Sequence, residues 1–249
     1  MIEIHEEIIQ DIPVTHIVAS TKRTQPLPTI FFFQRFTASK ELDIGLGYIL
    51  AKAGYRVLFP EAPQHGMRFD GNEEKRKYQF WNILKQSIDE LPILYHHYKD
   101  CGLILDDRVG VTGTSLGGFI VLGSMTQYRW IKAGASYMGS GFFLSCAKYV
   151  HPPVLIKNVE DELLFNSNMS QLKQYDITHQ LAKLADRPLF VWHGEKDDIV
   201  SVNETIKLKK AFLGLNLDKQ PLIFIDNSAG HKINHNAIQL GVAFFKENL

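Results

Sequence analysis

The pentapeptide Gly113-Thr114-Ser115-Leu116-Gly117 sets a serine between glycines at i−2 and i+2. The apolar run Arg108 to Thr112 leads into it, and Gly118-Phe119-Ile120-Val121-Leu122 follows at once. A strand turning directly into a helix around a serine is the setting of a nucleophile elbow. Small neighbours let the turn close, and the hydroxyl is pushed above the sheet edge. A serine hydroxyl is a poor nucleophile near neutral pH; it needs a base, and the base needs an orienting acid. In the chain order Ser, acid, His, Asp197 and His231 are the candidates. Asp198 is the nearest rival for the acid and could instead cap a helix beginning near Val202. His193, His235 and His65 compete with His231. His193 ends a strand beside Gly194 and is expected to be structural, and His235 opens the last helix.

These side chains need a frame that brings them together. Glu3 to Gln10 and Pro13 to Ser20 read as a starting hairpin. Thr29 to Phe33, Tyr55 to Phe59, Arg108 to Thr112, Lys132 to Met138, Pro188 to His193 and Pro221 to Asp226 read as further strands, mostly of the fully buried kind. Between them lie helical patterns. Ser39 is expected to cap a helix running to Ala53, which Gly54 ends. Trp81, Leu84, Ile88, Leu91 and Tyr95 share one helical face, with a kink or break expected at Pro92. The final helix carries Ile238, Val242, Phe245 and Leu249 on one stripe. Alternation of this kind predicts an α/β fold with a mostly parallel sheet covered on both faces. Functional groups then gather at the C-terminal strand ends, and Ser115, Asp197 and His231 each follow such an end. The long connection 139–187, rich in Phe and Leu, is expected to be a cap insertion within a single domain spanning 1–249.

The bulk composition narrows the class. The 249 residues suffice for one full core, and 27 basic residues balance 27 acidic ones. No global field therefore favours nucleic acid or an anionic membrane. Cys101 and Cys146 read as reduced thiols. The start of the chain shows no signal-peptide pattern, and no apolar run has membrane-spanning length. A cytoplasmic protein, monomer or homodimer, is expected. His96-His97 is the one pair that raises a metal site, but adjacent helical residues face apart and no carboxylate or thiol completes a set, so no metal and no cofactor are expected.

At these residues the chain resembles an α/β-hydrolase, and within that superfamily the small serine esterases related to dienelactone hydrolases and prolyl-oligopeptidase catalytic domains. The resemblance runs from about Val14 to the end. It implies, through the His-Gly-x-x-Asp-x-x-Val pattern at 193–200, that Asp197 is the triad acid, and through Gly230-His231 that His231 is the base. It implies an oxyanion hole made by the backbone N–H of Leu116 and of Phe36, in a loop where such esterases read His-Gly-Phe-Thr and this chain reads Gln34-Arg35-Phe36-Thr37. Arg35, His65, Phe142 and Phe143 are then expected around the substrate pocket. Arg35 would favour substrates carrying a negative group, unless it points to solvent or pairs with a carboxylate, and His65 would support backbone. The expected function is a carboxylesterase acting on a small-molecule ester of short or medium acyl length through an acyl-enzyme. The competing readings are a peptidase or acyl-amino-acid hydrolase, an acyltransferase, and a non-catalytic ligand-binding protein on a hydrolase scaffold.

Overall fold

A computed structural model describes residues 1–215, 217 and 220–249. The strands are β1 (Ile2–Ile9), β2 (Ile12–Ala19), β3 (Leu27–Phe33), β4 (Arg56–Pro60), β5 (Ile104–Thr114), β6 (Ala133–Tyr137), β7 (Leu189–Gly194) and β8 (Leu222–Asp226). The helices are α1 (Ile44–Lys52), α2 (Glu73–Lys77), α3 (Phe80–Asp100), α4 (Leu116–Gln127), α5 (Phe143–Cys146), α6 (Val159–Ser170), α7 (Leu181–Ala185), α8 (Asn203–Leu213) and α9 (His235–Asn248). All strands join one eight-stranded sheet in the order β1-β2-β4-β3-β5-β6-β7-β8. The β1–β2 hairpin and the β2–β4 pair are antiparallel, and every pair from β4 to β8 is parallel. This is the predicted frame, with the hairpin covering one edge.

Apolar strands such as Leu27–Phe33, buried at every position, need cover on both faces. One face packs against α3, α4 and α8, where Leu84, Ile88, Leu91, Phe119, Ile120 and Leu208 join one apolar cluster. The other face meets α1 and α9 through Leu46, Leu50, Phe244 and Phe245. The segment 139–187 has no separate core. Its Phe143, Cys146, Phe165, Met169 and Ile177 belong to the same cluster as α3 and α4. No helix among the described residues is long and apolar enough to cross a membrane.

Two local expectations are corrected. The helix α3 runs unbroken through Pro92 for 21 residues. A proline costs the helix one hydrogen bond, but the apolar stripe of α3 is buried against α4 and the sheet, and that packing outweighs the local preference. Ser39 does not cap an α-helix. A 3₁₀ turn over Lys40–Asp43 intervenes, and Asp43 stands before α1 without a side-chain cap bond.

At the sheet end opposite Ser115, a buried polar chain ties β2 to β4 and α3. The guanidinium of Arg56, fully buried, donates to the carbonyls of Arg23 (3.0 Å) and Gln25 (2.8 Å) and meets His16 Nε2. His16 Nδ1 donates to Glu7 Oε1 at 2.9 Å, and the Tyr98 hydroxyl donates to Glu7 Oε2 at 2.6 Å. Burial lowers the His16 pKa, with the Arg56 charge acting the same way. Burial would raise Glu7, but the bonds from His16 and Tyr98 outweigh it and bring its pKa down to about 2. His65 and His151 are lowered by burial too. A histidine with a depressed folded pKa takes its proton first in the unfolded chain, so acidification favours unfolding. We expect the free energy of unfolding, measured by urea titration, to fall as pH drops below 6.5, the ordinary histidine value. Glu7 adds to the loss from 4.5 towards about 2. The variant His16→Gln should show a shallower slope between about pH 7 and 5 than the wild type.

Candidate active site

The turn between β5 and α4 is built by close approach. A Cβ on Gly113 would lie 2.6 Å from the Gly117 carbonyl carbon, and one on Gly117 would lie 2.0 Å from the Phe33 oxygen. Only glycine fits at either place, which explains the Gly-x-Ser-x-Gly spacing. Between them Ser115 adopts φ 55° and ψ −115°, a backbone state that costs a non-glycine residue about 1–3 kcal/mol. Its N–H is held by the Tyr137 carbonyl at 2.9 Å. Leu116 opens α4, where the N–H has no intrahelical acceptor and is available to an incoming oxygen.

The loop after β7 assembles around Asp197, whose side chain is fully buried. Its Oδ1 accepts the N–H groups of Ile199 (3.0 Å) and Val200 (2.9 Å). Its Oδ2 accepts Nδ1–H of His231 at 2.7 Å and lies 3.2 Å from Nε2 of His193. Burial alone would raise the carboxyl pKa. The hydrogen bonds from His193, His231 and Val200 outweigh burial and hold it well below the usual carboxylate range. Asp197 is thus an ionised acceptor throughout the neutral range, and it keeps the His231 proton on Nδ1. That leaves Nε2 with a lone pair. Asp198 does not cap the next helix; Val202 precedes α8 with no side-chain cap bond.

His193 is structural, as expected, with a more specific task. Its Nε2 bonds the Val200 carbonyl at 2.8 Å and its Nδ1 meets Thr205 Oγ1 at 2.7 Å, so it pins the Asp197 loop to α8. The i, i+4 spacing of His193 and Asp197 was the available signal.

The Gln34–Thr37 loop follows β3 on the same sheet edge. Thr37 has φ 61°, and its N–H donates to Nε2 of His65 at 2.8 Å. His65 Nδ1–H donates in turn to the Pro63 carbonyl at 2.8 Å. The carbonyl fixes the tautomer, burial keeps the ring neutral, and the imidazole becomes a strut for the loop. Among the described residues the Phe36 N–H has no acceptor. We expect His65→Leu to leave the Thr37 N–H unpartnered, cost about 1–3 kcal/mol in thermal or urea unfolding, and lower kcat by about tenfold or more.

Three further expectations change. Arg35 is paired with Asp43 at 3.4 Å, the carboxylate pairing that was one alternative to a substrate role. Phe143 is fully buried against Trp81 and Phe119, and Phe142 is buried with the Lys207 ammonium 3.9 Å over its ring. Both are packing residues that seat the 139–187 segment on the core. The same segment brings His151 against the loop after β3, its ring 4.8 Å from both Phe36 and Phe80. No periodicity marks His151 in the sequence, since it stands in a loop before Pro152-Pro153.

Residues 84–249 match the model of the prolyl oligopeptidase family (Peptidase_S9). Over all 249 residues, and the whole of the relative, the chain is 36% identical to Esterase YjfP of Escherichia coli strain K12. Among solved structures, TT1662 from Thermus thermophilus superposes with a TM-score of 0.76 at 17% identity, covering 99% of this chain and 98% of that one. An acylaminoacyl peptidase from Pyrococcus horikoshii superposes with a TM-score of 0.70 at 17% identity, covering all of this chain and 42% of the peptidase.

Proposed function

Since this chain belongs to the prolyl oligopeptidase family and carries its α/β-hydrolase fold, we propose that it is a serine esterase using Ser115, His231 and Asp197. The observation that carries the chemistry is the 2.7 Å bond from His231 Nδ1 to a buried, ionised Asp197. The substrate class rests on the full-length similarity to an esterase.

Ser115 Oγ attacks the ester carbonyl carbon as Nε2 of His231 takes its proton. The carbonyl electron pair moves onto oxygen, where the N–H groups of Phe36 and Leu116 stabilise it. The intermediate collapses, the bond to the alkoxy oxygen breaks, and that oxygen takes the proton from Nε2. Water then attacks the acyl-enzyme by the same route, returning the acid and free Ser115. Asp197 stays ionised and stabilises the imidazolium at each stage. The 139–187 segment borders the site and shapes its pocket, through His151 above all.

Peptide bond cleavage is the second reading, favoured by the superposition on an acylaminoacyl peptidase. Turnover of p-nitroanilides of N-acylated amino acids decides between the two. None is expected, and anilide cleavage that Ser115→Ala abolishes would establish the peptidase reading.

A further inference from the structure

His151 is held in place at some cost. Its backbone is left-handed, with φ 44°, which in a residue with a Cβ costs about 1–3 kcal/mol. Its carbonyl is tied by the indole N–H of Trp81 at 3.0 Å. Its ring stacks on Phe80 with an interplanar angle of 19° and meets Phe36 edge-on at 66°. The neighbouring rings Phe36, Phe80 and Phe119 are wholly apolar, and the indole N–H of Trp81 is satisfied. His151 is the exception. It is half-buried, and among the described residues neither ring nitrogen has a hydrogen-bond partner. Burial and the nearby His231 keep the ring neutral, so it offers one N–H and one lone pair. A phenylalanine would serve the stack equally well. An imidazole so fixed, with open nitrogens beside Phe36, whose N–H is assigned above to the oxyanion, is suited to hold a polar group close to the reacting centre.

We propose that His151 is a substrate-binding residue that hydrogen-bonds a hydroxyl carried within a few bonds of the scissile ester. The preferred substrates are then short esters bearing such a group, not plain alkyl esters. This rests on the esterase reading above. The test compares kcat/KM on matched pairs: methyl 3-hydroxybutanoate against methyl butanoate for the acyl side, and 2-hydroxyethyl butanoate against ethyl butanoate for the alcohol side. The wild type should favour the hydroxylated member of at least one pair by about tenfold or more. His151→Phe, which keeps the stack, should bring that ratio near one, and His151→Gln, which keeps a hydrogen-bonding end, should retain part of it. An equal ratio in wild type and His151→Phe, or no preference in the wild type on either pair, overturns the proposal. Fluorophosphonate labelling of wild type separates the two levels. A labelled, ester-cleaving protein without the preference rejects the role of His151 alone, whereas a folded protein that neither labels nor cleaves esters rejects the esterase reading with it.

Discussion

Replacing Ser115 with alanine should abolish ester hydrolysis, with kcat down by about 10⁶-fold, the scale at which loss of a nucleophilic serine has been measured in a comparable triad. The oxygen that forms the acyl bond is gone, and no neighbouring side chain can substitute for it. Ser115 alone occupies the strained φ 55° position between β5 and α4. The substitution is isosteric enough to be folded, since the hydroxyl makes no hydrogen bond among the described residues and the N–H bond to Tyr137 survives. Relief of nothing but the side chain means the melting temperature should stay within a few degrees. The fluorophosphonate probe reads the same event chemically: wild type should be labelled and Ser115→Ala should not. Hydrolysis in the variant at more than about a hundredth of the wild-type rate would mean that another group performs the attack.

Asp197→Asn is the second large effect, with an expected loss of about 10⁴ in kcat. The reason lies in proton placement. The Oδ1 position is fixed as an acceptor by the N–H groups of Ile199 and Val200. The new amide nitrogen must therefore stand where Oδ2 was, facing His231 Nδ1 and His193 Nε2. An N–H pointing at Nδ1 forces that atom to accept, and the proton of a neutral His231 moves to Nε2. Nε2 can then no longer take the serine proton. His193 compounds the problem, because its Nε2–H is committed to the Val200 carbonyl and now meets a second donor. A buried donor facing a donor costs about 1–3 kcal/mol, so the variant should also unfold more readily. Steady-state rates on p-nitrophenyl butanoate, with urea unfolding in parallel, check both parts. A rate loss below about tenfold would remove Asp197 from the triad and turn attention to Asp198. The acid limb of the wild-type rate profile should not come from Asp197, which its hydrogen bonds keep ionised well below the usual carboxylate range.

Much of this was legible along the chain, for reasons of local physics. The Gly113 and Gly117 positions are dictated by backbone contacts that no Cβ can survive, so the elbow shows as a five-residue pattern. Buried strands show as apolar runs, Ile30 to Phe33 in β3 and Leu189 to Trp192 in β7, because both faces are covered. Asp197 and His231 follow strand ends in the right order because a parallel sheet sends every such loop to one edge. What stayed hidden depends on contacts between residues far apart in sequence. Pro92 forecasts a kink or a break near Leu91, and the burial of α3 carries the helix through it without a break. Arg35 stands beside the oxyanion loop in sequence, but a carboxylate on the next turn, Asp43, takes its guanidinium. Phe142 and Phe143 have the chemistry of a pocket wall, and only the docking of the 139–187 segment shows them buried as packing.

The sequence by itself therefore determined the α/β frame and the candidates Ser115, Asp197 and His231, because an elbow, strand ends and chain order are local features. The tertiary structure alone decided what stands around them. It made His65 the strut of the Gln34–Thr37 loop, set His193 against Asp197, and brought His151 from a long connection against Phe36. The physical reason is that chemistry here rests on local backbone geometry, whereas selectivity rests on which distant side chains share a wall, and that is fixed only when the chain packs.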